Sequence, residues 1–366
     1  MSRIPVTPAP SLLPKLGLRG SGVAGRGGDT YVYETICMDS GAVAASTSER
    51  KVHIYERFGT DPVRTIQYHS EQLTQIRTRE DSLLSSSRDG KIAIWDLRQA
   101  GSTPAHVFRS EDPVLSFDLS ADKTMLIGGS QLNSSYMAKI QFWDPRAPGA
   151  PVTAFEGSHS DDVTQIHCNW TAPKKFLSGS TDGLLCTFDM SQPEEDDALE
   201  YVANTNASIA QCGYFGPESQ FIYAQSDMDT LQLWTDEATQ LADFGDVRDL
   251  TQGGVPVDYI VNCKYDADAQ RLYMVGGNND GQIQLLHVGA ASMEHAQTLD
   301  SGHSDVVRGF GWDLPGGWAV SGGEDGRVAW WSTPQDAEPA KASPGAMAVP
   351  RRPNGQGTPS RRFAPY

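Results

Sequence analysis

The 366-residue chain has no run of about 18 apolar residues, so the sequence offers no membrane-spanning helix. Its first residues lack the apolar stretch of about 7–15 residues that marks a secretory signal. Cysteine is scarce: Cys37, Cys168, Cys186, Cys212 and Cys263 form an odd, scattered set with no C-x-x-C and no His at ligand spacing. This excludes a disulfide framework and a zinc site, and predicts reduced thiols inside a cell, buried as small apolar side chains. The expected residence is cytoplasmic, nuclear or both. Apolar residues at 39% are enough for a folded core.

Basic residues are few, and they sit at the ends. Residues 1–28 hold Arg3, Lys15, Arg19 and Arg26 and no acid; residues 341–366 hold Lys341, Arg351, Arg352, Arg361 and Arg362 and no acid. The stretch 29–340 therefore keeps 20 basic residues against all 46 acids, a net charge of −26. So acidic a body repels phosphate backbones, which argues against nucleic acid and for basic protein partners.

Catalytic signatures are lacking too. There is no metal-ligand spacing and no nucleophile elbow. Gly20, Gly22 and Gly25 spell G-x-G-x-x-G, but a dinucleotide site needs a strand before and a helix after, and LLPKLGLR and RGGDTYVY supply neither. These glycines read as a flexible leader. No catalytic, cofactor-binding or metal-ligating residue is assigned.

What the chain does have is a repeat. Small residues, a turn with an acid, alternating apolar residues and an aromatic recur as Ser85–Asp96, Ser178–Asp189 and Ser321–Ser332. Weaker copies end at Tyr55, Trp143, Trp234 and Leu286, and the seven endpoints lie 40, 48, 45, 46, 52 and 45 residues apart. Two period-two runs around Asp-Gly make a β-hairpin, and a strand on either side gives four strands per unit. Seven such units predict an all-β propeller. After Trp331 no fourth strand follows, so the last blade must borrow one from the N-terminus, with Leu12–Leu18 as candidate despite Pro14 and Gly17. The expected organisation is a disordered basic leader over 1–28, a seven-bladed propeller over 29–333, and a disordered basic tail over 334–366.

The units resemble WD40 repeats. The resemblance implies a hydrogen-bonded set of His, Ser, Asp and Trp in each well-formed blade. Here the set is His69, Ser85, Asp89 and Trp95 in blade 2, and His303, Ser321, Asp325 and Trp331 in blade 7. Blade 4 has His159, Ser178 and Asp182, but Phe188 lacks an indole N–H, so a shorter chain of bonds is expected there. Recurrence in three blades suits a structural staple, not a hydrolase triad. The runs His159–Ile166, Ser178–Asp189, Glu194–Leu199, Phe244–Asp249 and Gly302–Trp312 are similar to one group of WD-repeat proteins known as propellers without an assigned chemistry.

Residues Leu83–Arg98 fit the sixteen-residue WDxR box of propellers that dock on the adaptor of a class of cullin-RING ubiquitin ligases, and Trp143–Arg146 repeats its WDxR ending in blade 3. The resemblance implies that Arg98 and Arg146 lie on the wider face and pair with acids of such an adaptor. On the narrower face, Arg88, Thr181, Asn279 and Glu324 precede the turn positions and differ between blades, as a peptide-reading rim would. The Glu194–Asp197 cluster reads as a solvated loop. Thr358, before Pro359 and Arg361, resembles a proline-directed phosphorylation site. The functional expectation is a monomeric, non-enzymatic interaction scaffold for basic proteins, with ubiquitin-ligase substrate reception as the alternative.

Overall fold

Alternating apolar and small residues on both sides of a tight turn fold as hairpins, and this chain sets seven of them around one axis. The structure is a computed structural model and describes residues 5–25, 30–99, 101–249 and 256–334. Near the N-terminus lie β1 (Val6–Pro8) and β2 (Gly17–Val23). Blade 1 is β3 (Val32–Cys37), β4 (Val43–Thr47), β5 (Lys51–Tyr55) and β6 (Arg64–Gln67). Blade 2 is β7 (Leu73–Arg79), β8 (Ser82–Ser87), β9 (Lys91–Asp96) and β10 (His106–Arg109). Blade 3 is β11 (Val114–Leu119), β12 (Leu126–Ser130), β13 (Ile140–Trp143) and β14 (Thr153–Phe155). Blade 4 is β15 (Val163–Cys168), β16 (Lys175–Ser180), β17 (Leu184–Asp189) and β18 (Leu199–Asn204). Blade 5 is β19 (Ile209–Phe215), β20 (Phe221–Ser226), β21 (Thr230–Thr235) and β22 (Gln240–Asp246). Blade 6 is β23 (Tyr259–Asp266), β24 (Arg271–Gly277), β25 (Ile283–Val288) and β26 (Met293–Leu299). Blade 7 has β27 (Val307–Asp313), β28 (Trp318–Gly323) and β29 (Arg327–Ser332).

Each blade is an antiparallel meander with its first strand innermost, so the molecule is the seven-bladed, nearly all-β propeller that the repeat implied. Alternating strand directions put the loops after the second and fourth strands on one face and those after the first and third on the other. Blades pack through apolar faces. Between blades 7 and 1, Tyr55, Trp318 and Trp330 are buried together. In blade 4, Phe176 and Phe188 stack at 4.6 Å.

The N-terminal residues depart from expectation. The leader was expected to be unstructured, but β2 pairs antiparallel with β29 from Gly17↔Ser332 to Val23↔Arg327 and is the outer strand of blade 7. It starts where Leu12–Leu18 was expected to end, because Pro14 cannot donate to a ladder. β1 adds a fifth strand, parallel to β26, at the edge of blade 6. Between them, Leu13 and Leu16 bury in the seam of blades 6 and 7. Gly20 and Gly22 thus belong to a strand, not to a hinge or a phosphate loop. A Cβ on Gly22 would stand 2.1 Å from the Thr60 carbonyl oxygen of blade 1, so glycine is what lets the closing strand approach its neighbour. The folded unit therefore takes in residues before 29. Residues 335–366, including Thr358, lie outside the described residues.

Replacing Gly22 by Val should cost about 1–3 kcal/mol through overpacking. Thermal denaturation should show a lower Tm for Gly22→Val and a nearly unchanged one for Gly17→Ala, whose Cβ would meet nothing within 4 Å.

Candidate functional site

The side chains that invite a catalytic reading are sealed inside the blades. In blade 7, Trp331 Nε1–H donates to Ser321 Oγ at 2.8 Å, Ser321 Oγ lies 2.7 Å from His303 Nε2, and His303 Nδ1 lies 3.1 Å from Asp325. One direction of donation satisfies every atom: indole to hydroxyl, hydroxyl to Nε2, and Nδ1–H to carboxylate. Asp325 also accepts the backbone N–H groups of Ser304 and Arg327, so the set ties the loop before β27 to the β28–β29 turn. That turn needs the left-handed backbone of Gly326 (φ +71°).

Blade 2 repeats the inner part. His69 Nε2 is 2.7 Å from Ser85 Oγ, and Nδ1 is 3.1 Å from Asp89. The expected fourth member is absent from the set, because the Trp95 ring lies edge-on to His69 and its Nε1–H donates to the Ser102 carbonyl. In blade 4, His159 bridges Ser178 (2.7 Å) and Asp182 (3.1 Å), and the chain of bonds ends there because Phe188 has nothing to donate. The histidine side chains are at most 2% exposed and leave no room for a substrate. Burial pushes the carboxyl pKa values of Asp89, Asp182 and Asp325 up, but the His partners and backbone N–H donors outweigh it and hold all three below the usual range.

Arg98 and Arg146 are exposed at 72% and 82%, after the third strands of blades 2 and 3 and therefore on one face. Each guanidinium is already occupied along one edge. Arg98 Nε and Nη2 both lie 2.9 Å from the two oxygens of Asp96; Arg146 grips Asp144 at 2.9 and 2.8 Å. This hydrogen-bonded fork drives the Asp144 pKa down to about 2. Arg248 holds Asp246 in the same way, with no tryptophan before it, so the fork does not depend on the WD pair.

The four rim residues occupy the opposite face and differ in freedom. Arg88 is exposed, and its side chain has no partner among the described residues. Thr181 is half-buried, its hydroxyl 3.5 Å from the Asp162 carbonyl. Asn279 donates through Nδ2 to Asp258 at 2.9 Å. Glu324 receives Arg308 Nε at 2.7 Å. In the acidic cluster, Glu195 is not a solvated residue: on the one-turn helix α1 (Glu195–Ala198) it accepts the N–H groups of Glu156 and Gly157 and the Ser158 hydroxyl, clamping blade 4 to blade 3.

One set of structural residues went unread in the sequence. The innermost strand of every blade carries a β-bulge after its first apolar residue. The bulge turns the next polar side chain onto the neighbouring blade. Glu34 accepts Ile76 N–H, and Gln75 accepts Phe117 N–H. Ser116, Gln165, Gln211 and Asn262 donate to the carbonyls of Val163, Ala210, Val261 and Phe310 in turn. The signal was an apolar residue followed two places later by Glu, Gln, Ser or Asn in six of the seven innermost strands.

The profile of the WD domain, G-beta repeat family matches residues 60–96 and 294–332. The chain is 30% identical to the WD repeat-containing protein GTS1 of Arabidopsis thaliana over 88% of this chain and 86% of that one. It is 25% identical to the WD repeat-containing protein 89 homolog of Dictyostelium discoideum over 84% of both. An uncharacterized WD repeat-containing protein of Saccharomyces cerevisiae is 29% identical over 69% of this chain and 64% of its own.

The three brace aspartates bind protons less readily folded than unfolded, so protonation favours the unfolded chain. Their contribution is complete above the unfolded carboxyl pKa of about 3.9 and is lost as pH falls through the lower folded values. Calorimetry should show Tm dropping below about pH 4. Asp325→Ala should cost about 3 kcal/mol at pH 7, and less at pH 3.

Proposed function

Because the chain belongs to the WD-repeat proteins, we propose that it is a non-enzymatic platform for protein–protein interaction whose preferred partners are basic proteins. The observation that carries this reading is a contrast of place. The His, Ser and Asp side chains are spent on bracing the blades, while the chemistry that varies from blade to blade stands on the rim. Repetition supplies a rigid frame, and single rim side chains such as Arg88 and Thr181 supply identity. A net charge of −26 over residues 29–340 favours encounter with basic tails. The closed propeller acts as a monomer in the cytoplasm or nucleus, a residence supported by five free cysteines.

A second reading rests on the paired WDxR boxes. Arg98 and Arg146 project from adjacent blades in the same conformation, each with its outer edge turned to solvent. An acidic adaptor of a cullin-RING ligase would meet two pre-set guanidinium groups held by their own aspartates.

Affinity purification from cell extract with the full chain, and with a form ending at residue 334, tests both readings. Basic proteins should be retained by both forms and released as salt rises from about 0.1 to 0.5 M. Retention of neutral proteins alone, insensitive to salt, would sink the basic-partner reading. The Arg98→Ala, Arg146→Ala double variant should lose a ligase adaptor and keep its basic partners; an adaptor never retrieved by the unaltered chain would end the docking reading.

A further inference from the structure

The axial channel has a charge opposite to that of the protein around it. Period-two alternation beyond each bulge brings a second ring of residues to the axis. Of these, Arg77 in blade 2, His167 in blade 4 and Lys264 in blade 6 line the channel, while the equivalent Asp118 in blade 3 is buried behind it and Gly213 and Gly311 fall at the same place in blades 5 and 7. The channel encloses about 420 Å³, and its described lining holds four cations, Arg77, Arg79, Lys264 and Arg308, against one acid, Glu34.

Two of the cations are neutralised locally. Arg79 pairs with Asp118 at 2.5 Å, and Arg308 pairs with Glu324 at 2.6 Å. Arg77 and Lys264 are not. Arg77 Nη2 lies 3.3 Å from His167 Nε2, which must accept and therefore be neutral; burial, with Arg77 beside it, holds the His167 pKa well below its ordinary value. Arg77 Nε is buried without a partner, as is Asn262 Oδ1. The Lys264 ammonium makes no hydrogen bond among the described residues, and burial and then the Arg77 charge push its pKa down. Glu34 faces both cations, but one of its oxygens is committed to Ile76 N–H, and burial pushes its pKa up against their pull. Two cations therefore share a single carboxylate. Water can solvate these N–H groups but cannot balance the charge. An oxyanion does both.

From this lining we infer that the axial channel is a binding site for a small free phosphate compound, held by Arg77 and Lys264. A guanidinium offers a planar fork to two phosphate oxygens, and the ammonium adds a point charge. With Glu34 counted, the two cations leave one net positive charge, and a phosphate group supplies both the negative charge and the several acceptor oxygens that the unpaired N–H groups of Arg77 and Lys264 call for. The volume exceeds one phosphate and fits a diphosphate or a phosphorylated small molecule. The acidic exterior repels anions, so affinity must come from the channel itself.

Inorganic pyrophosphate titrated into the full chain in phosphate-free, low-salt buffer is the test, read by calorimetry and by the shift in Tm. One site per chain is expected, with Tm rising as ligand is added. Arg77→Gln and Lys264→Gln should each weaken binding at least tenfold, while Lys123→Gln, at an exposed surface pair with Glu80 outside both the rim set and the channel, should leave it unchanged. Without ligand, Lys264→Gln should melt at or above the unaltered chain, because it removes one of two mutually repelling buried cations, so lost binding is not lost folding. No saturable binding at millimolar pyrophosphate, or binding that survives both channel substitutions, would overturn the assignment. Equal affinity for citrate would also overturn it, by showing that charge alone is read and not phosphate.

Discussion

A ring of blades holds together only if its last seam closes, and in this chain that seam is made from residues far apart in sequence. Blade 7 has three strands of its own, and the fourth is Gly17–Val23. On the inner side, Thr35 of blade 1 donates to the Val320 carbonyl and accepts Gly311 N–H. A Cβ on Gly309 would stand 2.8 Å from the Thr35 nitrogen, so glycine takes the place that a polar side chain fills in the other six blades. On the outer side, Trp330 Nε1–H reaches the Gly59 carbonyl of blade 1. Backbone pairing, close glycine contacts and buried tryptophans together join the N-terminal strand and blade 1 to blade 7 and close the ring.

The division between inside and rim follows from it. Buried polar groups must be hydrogen-bonded, so the His–Ser–Asp sets and the ring of polar side chains at the bulges are committed to the fold. They cannot also turn over a substrate. The loops are free of that constraint. The Asp-x-Arg forks show how little context an exposed feature needs: Asp96, Asp144 and Asp246, committed to no histidine, preset Arg98, Arg146 and Arg248, whereas Asp325, spent on His303, leaves the Arg327 guanidinium 3.9 Å away. The axial channel lies between these extremes, walled by the seam-spanning side chains of the innermost strands yet left with a surplus of positive charge.

The sequence was most legible where one interaction repeats at a fixed spacing. The Asp-Gly hairpins and the seven endpoints could be read from residue types alone, and the histidine braces of blades 2, 4 and 7 through the resemblance to WD40 repeats, since each depends on neighbours within one blade. Trp95 was misread because which way an indole N–H points depends on the rings packed around it. The N-terminal segment was misread because proline and glycine weigh against a strand locally, and nothing near them in sequence reveals the Thr60 backbone that demands Gly22. Glu195 was read as solvated because its acceptors, the N–H groups of Glu156 and Gly157, belong to the preceding blade.

Residue type and period alone determined that this chain is a seven-unit all-β repeat with an acidic body, because strand pairing within a hairpin is a short-range matter. Only the tertiary structure decided how the ring closes, which polar residues span the seams, and that an acidic protein carries Arg77 and Lys264 facing its axis. Those depend on distances between residues tens to hundreds of positions apart, which a linear pattern does not contain.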